Sequence, residues 1–120
     1  MNWRKAPESV MQAFDAALPA DDAVVKRKMF GYPAAFVNGN MFAGVHQDDI
    51  VVRLPDERRA AAIQAGAAQF EPMPGRPMRE YVALPPSSVA AADLPGWLDE
   101  AFRFVAAMPV KEPKPRKAKA

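Results

Sequence analysis

The sequence predicts an α+β domain: an antiparallel sheet with helices packed on it, in the order helix, four strands, helix, two strands, helix. Three observations lead there. Apolar residues recur at helical spacing near both ends of the chain. Between them lie short runs of strand-forming residues. The links between successive runs are only a few residues long, which permits antiparallel neighbours and excludes parallel crossovers.

Residues 7–18 read as the first helix. Val10, Ala13, Phe14, Ala17 and Leu18 make one apolar stripe. Pro7 suits a first turn, Glu8 complements the positive helix end, and Pro19 stops the helix. Residues 24–31 read as a strand. Residues 34–37 and 41–46 follow as a hairpin around Asn38-Gly39, the dipeptide that best tolerates the two positive φ angles of a type I′ turn. Asp48-Asp49 reads as a second turn before a strand at 50–54, whose Ile50, Val52 and Leu54 are expected to face the core.

Residues 56–65 read as a short helix, with Asp56-Glu57 at its start and Gly66 past its end. A short strand is expected at 69–71 and a loop at 72–77, where three prolines and a glycine fall together. The last strand is expected at 78–84. Residues 93–108 carry the strongest helical pattern, through Leu94, Trp97, Leu98, Ala101, Phe102, Val105 and Met108. Asp93 is its expected cap, and Pro95 is tolerated in its first turn. One strand departs from the usual one-sided pattern. On 41–45, strict alternation sends Met41, Ala43 and Val45 to one face and Phe42 and Gly44 to the other, and neither set is polar. These five residues are therefore the expected subunit interface of a homodimer.

The chain has 120 residues, half of them hydrophobic, which suits one folded domain. The domain is expected over residues 1–109, followed by a disordered basic tail at 110–120. The charge is uneven. The last ten residues hold five cations and one anion, leaving eleven cations and thirteen anions for the rest. Cysteine is absent, so thiolate–metal sites, disulfides and thiol nucleophiles are excluded. No stretch reads as a membrane span or a signal peptide, and a cytoplasmic location is expected.

Several motifs, taken in order, resemble one family. They are Lys28-Met29-Phe30-Gly31, then Phe36-Val37-Asn38-Gly39-Asn40-Met41-Phe42, then Gly75-Arg76-Pro77-Met78-Arg79-Glu80-Tyr81-Val82, and finally Trp97-Leu98 with Phe102. Over residues 11–109 the chain resembles the N-terminal domain of the TfoX/Sxy family. The resemblance implies a fold like that of the type III secretion chaperones, which often dimerise. The family's named members regulate natural competence together with a cyclic-AMP-responsive transcription factor. They carry a second, C-terminal domain where this chain shows only the basic tail. The resemblance supplies no catalytic activity.

The remaining chemistry is sparse. His46 is the only histidine and has no partner at metal-ligand or acid–base spacing. Asp21-Asp22 and Asp48-Asp49 sit where turns are expected. Ser87-Ser88 lacks the glycines of a hydrolase elbow. Gly31, Gly39 and Gly44 do not form a phosphate loop; Gly44 is expected to allow close packing or a bulge. No catalytic residue, metal or cofactor is expected. Arg53, Arg76 and Arg79 are the candidate patch for an anion or a partner, against the alternative of a solvated strand edge. Lys111, Lys114, Arg116, Lys117 and Lys119 are candidate nonspecific nucleic-acid contacts, with no aromatic residue among them to stack on bases. The expected function is that of a non-enzymatic, dimeric interaction module acting on an unidentified protein partner. The alternative is a nucleic-acid accessory protein that uses its tail.

Overall fold

In the computed structural model the described residues form three α-helices and a six-stranded antiparallel sheet. Residues 6–29, 31–71, 75, 78–85, 89 and 91–110 are described. The elements are α1 (Glu8–Ala17), β1 (Val25–Met29), β2 (Tyr32–Val37), β3 (Asn40–His46), β4 (Asp49–Arg53), α2 (Asp56–Gln64), β5 (Ala68–Gln69), β6 (Tyr81–Leu84) and α3 (Leu94–Ala106). This is the order predicted from sequence. The strands lie β1-β2-β3-β4-β6-β5, so the first four form a meander and β6 inserts between β4 and β5.

The helices cover one sheet face. Val10, Phe14 and Ala17 of α1 and Leu94, Leu98, Ala101 and Val105 of α3 share one core with Ala43, Val45, Ile50, Val52, Val82 and Leu84. Ile50, Val52 and Leu54 are fully buried in it, as their alternation predicted. The Asn38-Gly39 hairpin is also as expected. Its two residues have φ of 55° and 78°, and Val37 pairs with Asn40 across them.

The second face carries a smaller cluster of Val51, Phe70, Tyr81 and Ala83, with Met41 packed against it. Its membership corrects the expected phase of β3. Ala35 pairs with Ala43, but Phe36 pairs with Met41, so Phe42 is an extra residue in β3 and forms a β-bulge. Beyond a bulge, alternation restarts in the opposite phase. Phe42 therefore joins Ala43 and Val45 on the helix side, and Met41 goes to the second face. The bulge lies at Phe42 rather than at Gly44.

Other differences are local. Asp93 occupies the cap position of α3 without a side-chain cap bond. The chain enters α3 from a 3-10 turn at Ala91–Asp93, so Asp93 is already helical and lacks the extended geometry of a capping residue. Pro7 stands just ahead of α1, not within it, and its carbonyl accepts from the amides of Val10 and Met11. β6 starts at Tyr81, not at 78, because the Tyr81 amide turns back to the Met78 carbonyl (3.0 Å). The second tight turn is Gln47-Asp48, with Gln47 at φ 54°; Asp49 already belongs to β4, opposite His46. The expected loop residues 72–74, 76 and 77, Ser87-Ser88 and the tail beyond 110 lie outside the described residues.

Candidate functional site

The described residues leave two surfaces free of helices: the second sheet face and the outer edge of β1. The face is built by cross-strand register. Val25 pairs with Phe36, and Phe36 with Met41, so three apolar side chains line up across β1, β2 and β3. Val25 is 45% exposed, whereas Phe36 and Met41 are half-buried. The Arg27 guanidinium lies over the Phe36 ring, 5.7 Å from its centre.

Beside that row the face is closed by polar side chains bound to each other. The β3–β4 register ends at Ala43 opposite Val52, so Met41 has no ladder partner on β4. Its carbonyl accepts instead from the Tyr81 hydroxyl at 3.1 Å. Burial pushes the Tyr81 phenol above its ordinary value of 10, although Arg53 pulls it down. Arg53 holds both carboxylate oxygens of Glu80, at 2.8 and 2.9 Å, and its guanidinium lies 5.9 Å from the Tyr81 ring centre. At the far end of the face, Tyr32, His46 and Phe70 stack in sequence, with ring centres 5.6 and 5.1 Å apart. His46 thus fills a gap between two aromatic rings.

Of the five residues expected at a subunit interface, Phe42, Ala43 and Val45 are taken by the chain's own core. Phe42 meets the edge of Phe102 of α3 with centres 5.5 Å apart. Gly44 is buried on the second face, and only Met41 reaches its open part. Of the expected arginine patch, two members are described. Arg53 is neutralised by Glu80, Arg79 stands exposed in the turn before β6, and Arg76 lies outside the described residues. Lys111, Lys114, Arg116, Lys117 and Lys119 lie outside them too.

The other charged groups serve as ties. Arg58 of α2 forks onto Glu100 of α3 at 2.6 and 3.0 Å and sits over Trp97, and Glu100 raises the Arg58 pKa further above its ordinary value. Asp21 accepts from the Ala23 amide at 2.8 Å, in the turn role expected of it. The Asn38 side chain donates to the Ala106 carbonyl at 3.0 Å, and that of Asn40 to Pro109 at 3.2 Å, so the hairpin tip holds the end of α3. Among the described residues, no three His, Asp or Glu side chains are grouped as a metal site would need. No helix among them is long and apolar enough to cross a membrane.

A family model described as the TfoX N-terminal domain matches residues 16–105, which contain the whole sheet and nearly all of α3. The chain belongs to the TfoX N-terminal domain family. Comparison with functionally curated proteins finds no match. The family match spans the bulged strand, the β1 edge and Tyr81, so both open surfaces lie on the family's domain. Sequence reading missed Phe36, Phe70 and Tyr81 as parts of one face. Each is legible as an apolar strand or loop residue, but their adjacency depends on the order in which distant strands pair.

Proposed function

We propose that this TfoX-type domain is a non-enzymatic interaction module that acts by protein–protein contact, with self-association through the second sheet face. The carrying observation is the in-register row Val25–Phe36–Met41, an apolar strip on a helix-free face. The reading is supported by the way nearby ionisable groups are already engaged within the chain: Arg53 with Glu80, Arg27 over the Phe36 ring and Tyr81 on the Met41 carbonyl. A regulatory role is part of the proposal and rests on the family resemblance; a cytoplasmic location and action without a cofactor are proposed with it.

Sedimentation velocity tests it. The full chain is expected to sediment as a dimer at tens of micromolar, and Val25→Glu, at an exposed position, is expected to return it to a monomer. A strict monomer in the wild type, or a dimer untouched by Val25→Glu, removes the reading. The uneven charge favours a second reading, in which the tail binds nucleic acid without sequence preference. If all five tail cations meet phosphates, log K falls with log salt at a slope of about −4.5. Equal affinity after deletion of residues 111–120 eliminates that reading.

A further inference from the structure

The outer edge of β1 has a geometry that the face proposal does not use. β1 is the first strand of the sheet and, among the described residues, pairs only with β2. Its register is Lys26 opposite Ala35, Arg27 opposite Ala34, Lys28 opposite Pro33 and Met29 opposite Tyr32. Pro33 has no N–H, so the Lys28–Pro33 pair cannot exchange both ladder hydrogen bonds, and the bonded Val37–Asn40 pair that flanks the two-residue turn places Pro33 in the phase that faces β3. In an antiparallel ladder the bonded pairs alternate, which assigns the β1–β2 bonds to Val25, Arg27 and Met29. Lys26 and Lys28 must therefore turn their backbone N–H and C=O groups to the open side.

The side chains on this edge select what can add to it. Lys26, Arg27 and Lys28 are all exposed. Lys26 shares its charge with Asp15 of α1 at 3.3 Å, and Lys28 has no ion partner among the described residues. A second copy pairing antiparallel, edge to edge through the outward groups and centred on Arg27, would set Lys26 directly opposite Lys28, twice. Like charges directly opposite destabilise a strand pair. An extended segment with acidic residues at alternate positions meets the same lysines with opposite charge. The other sheet edge, β5, has only two residues and offers no comparable template.

We propose that the β1 edge binds an extended, acidic segment of a partner protein as a seventh strand. Lys26 and Lys28 supply the backbone hydrogen bonds and the charge selection. The proposal rests on the reading of this domain as an interaction module, but it uses a different surface from the self-association row.

The probe is a fluorescent peptide of alternating glutamate and valine, measured by anisotropy against the full-length chain. A lysine–valine peptide and an N-methylated glutamate–valine peptide serve as controls; the latter keeps its charge but cannot pair with a strand edge. We expect the parent peptide to bind at least about tenfold more tightly than either control. Lys28→Pro removes one outward N–H without touching the β2 ladder and is expected to abolish binding, whereas Lys28→Gln weakens it about threefold. Circular dichroism checks that both variants fold. Lys26→Glu/Lys28→Glu is expected to reverse the preference toward the lysine–valine peptide. Equal binding of the N-methylated peptide overturns the proposal, since that reports charge alone, including the charge of the tail. No binding of the parent peptide to a chain that still dimerises also overturns it, and leaves the module reading standing.

Discussion

Replacing Phe42 and Met41 in turn tests the bulge directly. Strict alternation puts Met41 toward the helices and Phe42 on the other face; the bulge reverses them. Phe42 is fully buried, and its ring meets Phe102 of α3 at 5.5 Å. A buried phenylalanine removes about 150–250 Å² from water, worth roughly 4–6 kcal/mol at about 25 cal/mol per Å². Alanine keeps the first carbon and leaves a cavity, so Phe42→Ala is expected to cost about 3–5 kcal/mol. That is a large share of the roughly 5–15 kcal/mol that holds a domain of this kind folded. In urea the midpoint moves down by about 2–3 M at an ordinary denaturant slope. Met41 is half-buried at the rim of the smaller cluster, so Met41→Ala is expected to cost only about 1 kcal/mol. Adding Phe102→Ala closes a double-mutant cycle, with a coupling of about 0.5–1.5 kcal/mol for the edge-to-face pair. A cost for Met41→Ala equal to or above that of Phe42→Ala refutes the bulged phase. So does a cycle that closes with no coupling.

Three further outcomes follow from the same geometry. Asn38→Gly keeps the left-handed turn but removes the hydrogen bond to Ala106, and thermal unfolding should register about 0.5–1.5 kcal/mol; Asn38→Ala adds backbone strain and should cost more. The Tyr81 phenol is raised above 10 in the folded state, so its contribution to stability is intact below pH 10 and falls as pH rises through the folded value. Tyr81→Phe should cost about 1 kcal/mol at neutral pH, flatten that alkaline decline, and remove a late-titrating phenol from absorbance at alkaline pH. A methyl placed on Gly44 meets the Pro33 carbonyl oxygen at 3.5 Å and the Ala34 side chain at 3.6 Å, which is ordinary contact, and Gly44 does not have a positive φ. Gly44→Ala should therefore lie within about 1 kcal/mol of wild type in urea denaturation, slightly stabilising through lost chain entropy in the unfolded state.

Local signals carried most of the fold. Asn38-Gly39 made its hairpin because few other residue pairs tolerate two successive left-handed conformations. The α3 stripe placed Leu94, Leu98, Ala101 and Val105 in the core because helical periodicity needs no knowledge of the partner surface. The candidate surfaces were less legible. Met41 and Phe42 are interchangeable by hydrophobicity, and only a bulge, which has no side-chain signature here, decides which meets Phe102. Arg53 and Arg79 looked equivalent as strand-edge cations, but only Arg53 lies across from Tyr81 and next to Glu80 once β4 and β6 pair. Pro33 was visible as a proline, yet its effect on β1 depends on which residue stands opposite.

The order of helices and strands, the tight hairpin and the helix stripes were legible in the chain alone. All of these rest on contacts between residues close in the chain, where spacing along the sequence translates directly into geometry. The tertiary structure alone decided the face on which Phe42 and Met41 lie, the insertion of β6 between β4 and β5, the pairing of Arg53 with Glu80, and the exposure of Lys26 and Lys28 along an open edge. Those features depend on register between strands far apart in sequence. Register is set by the joint packing of all six strands against the helices, and a one-residue bulge is enough to exchange which side chains are buried and which remain available to a partner.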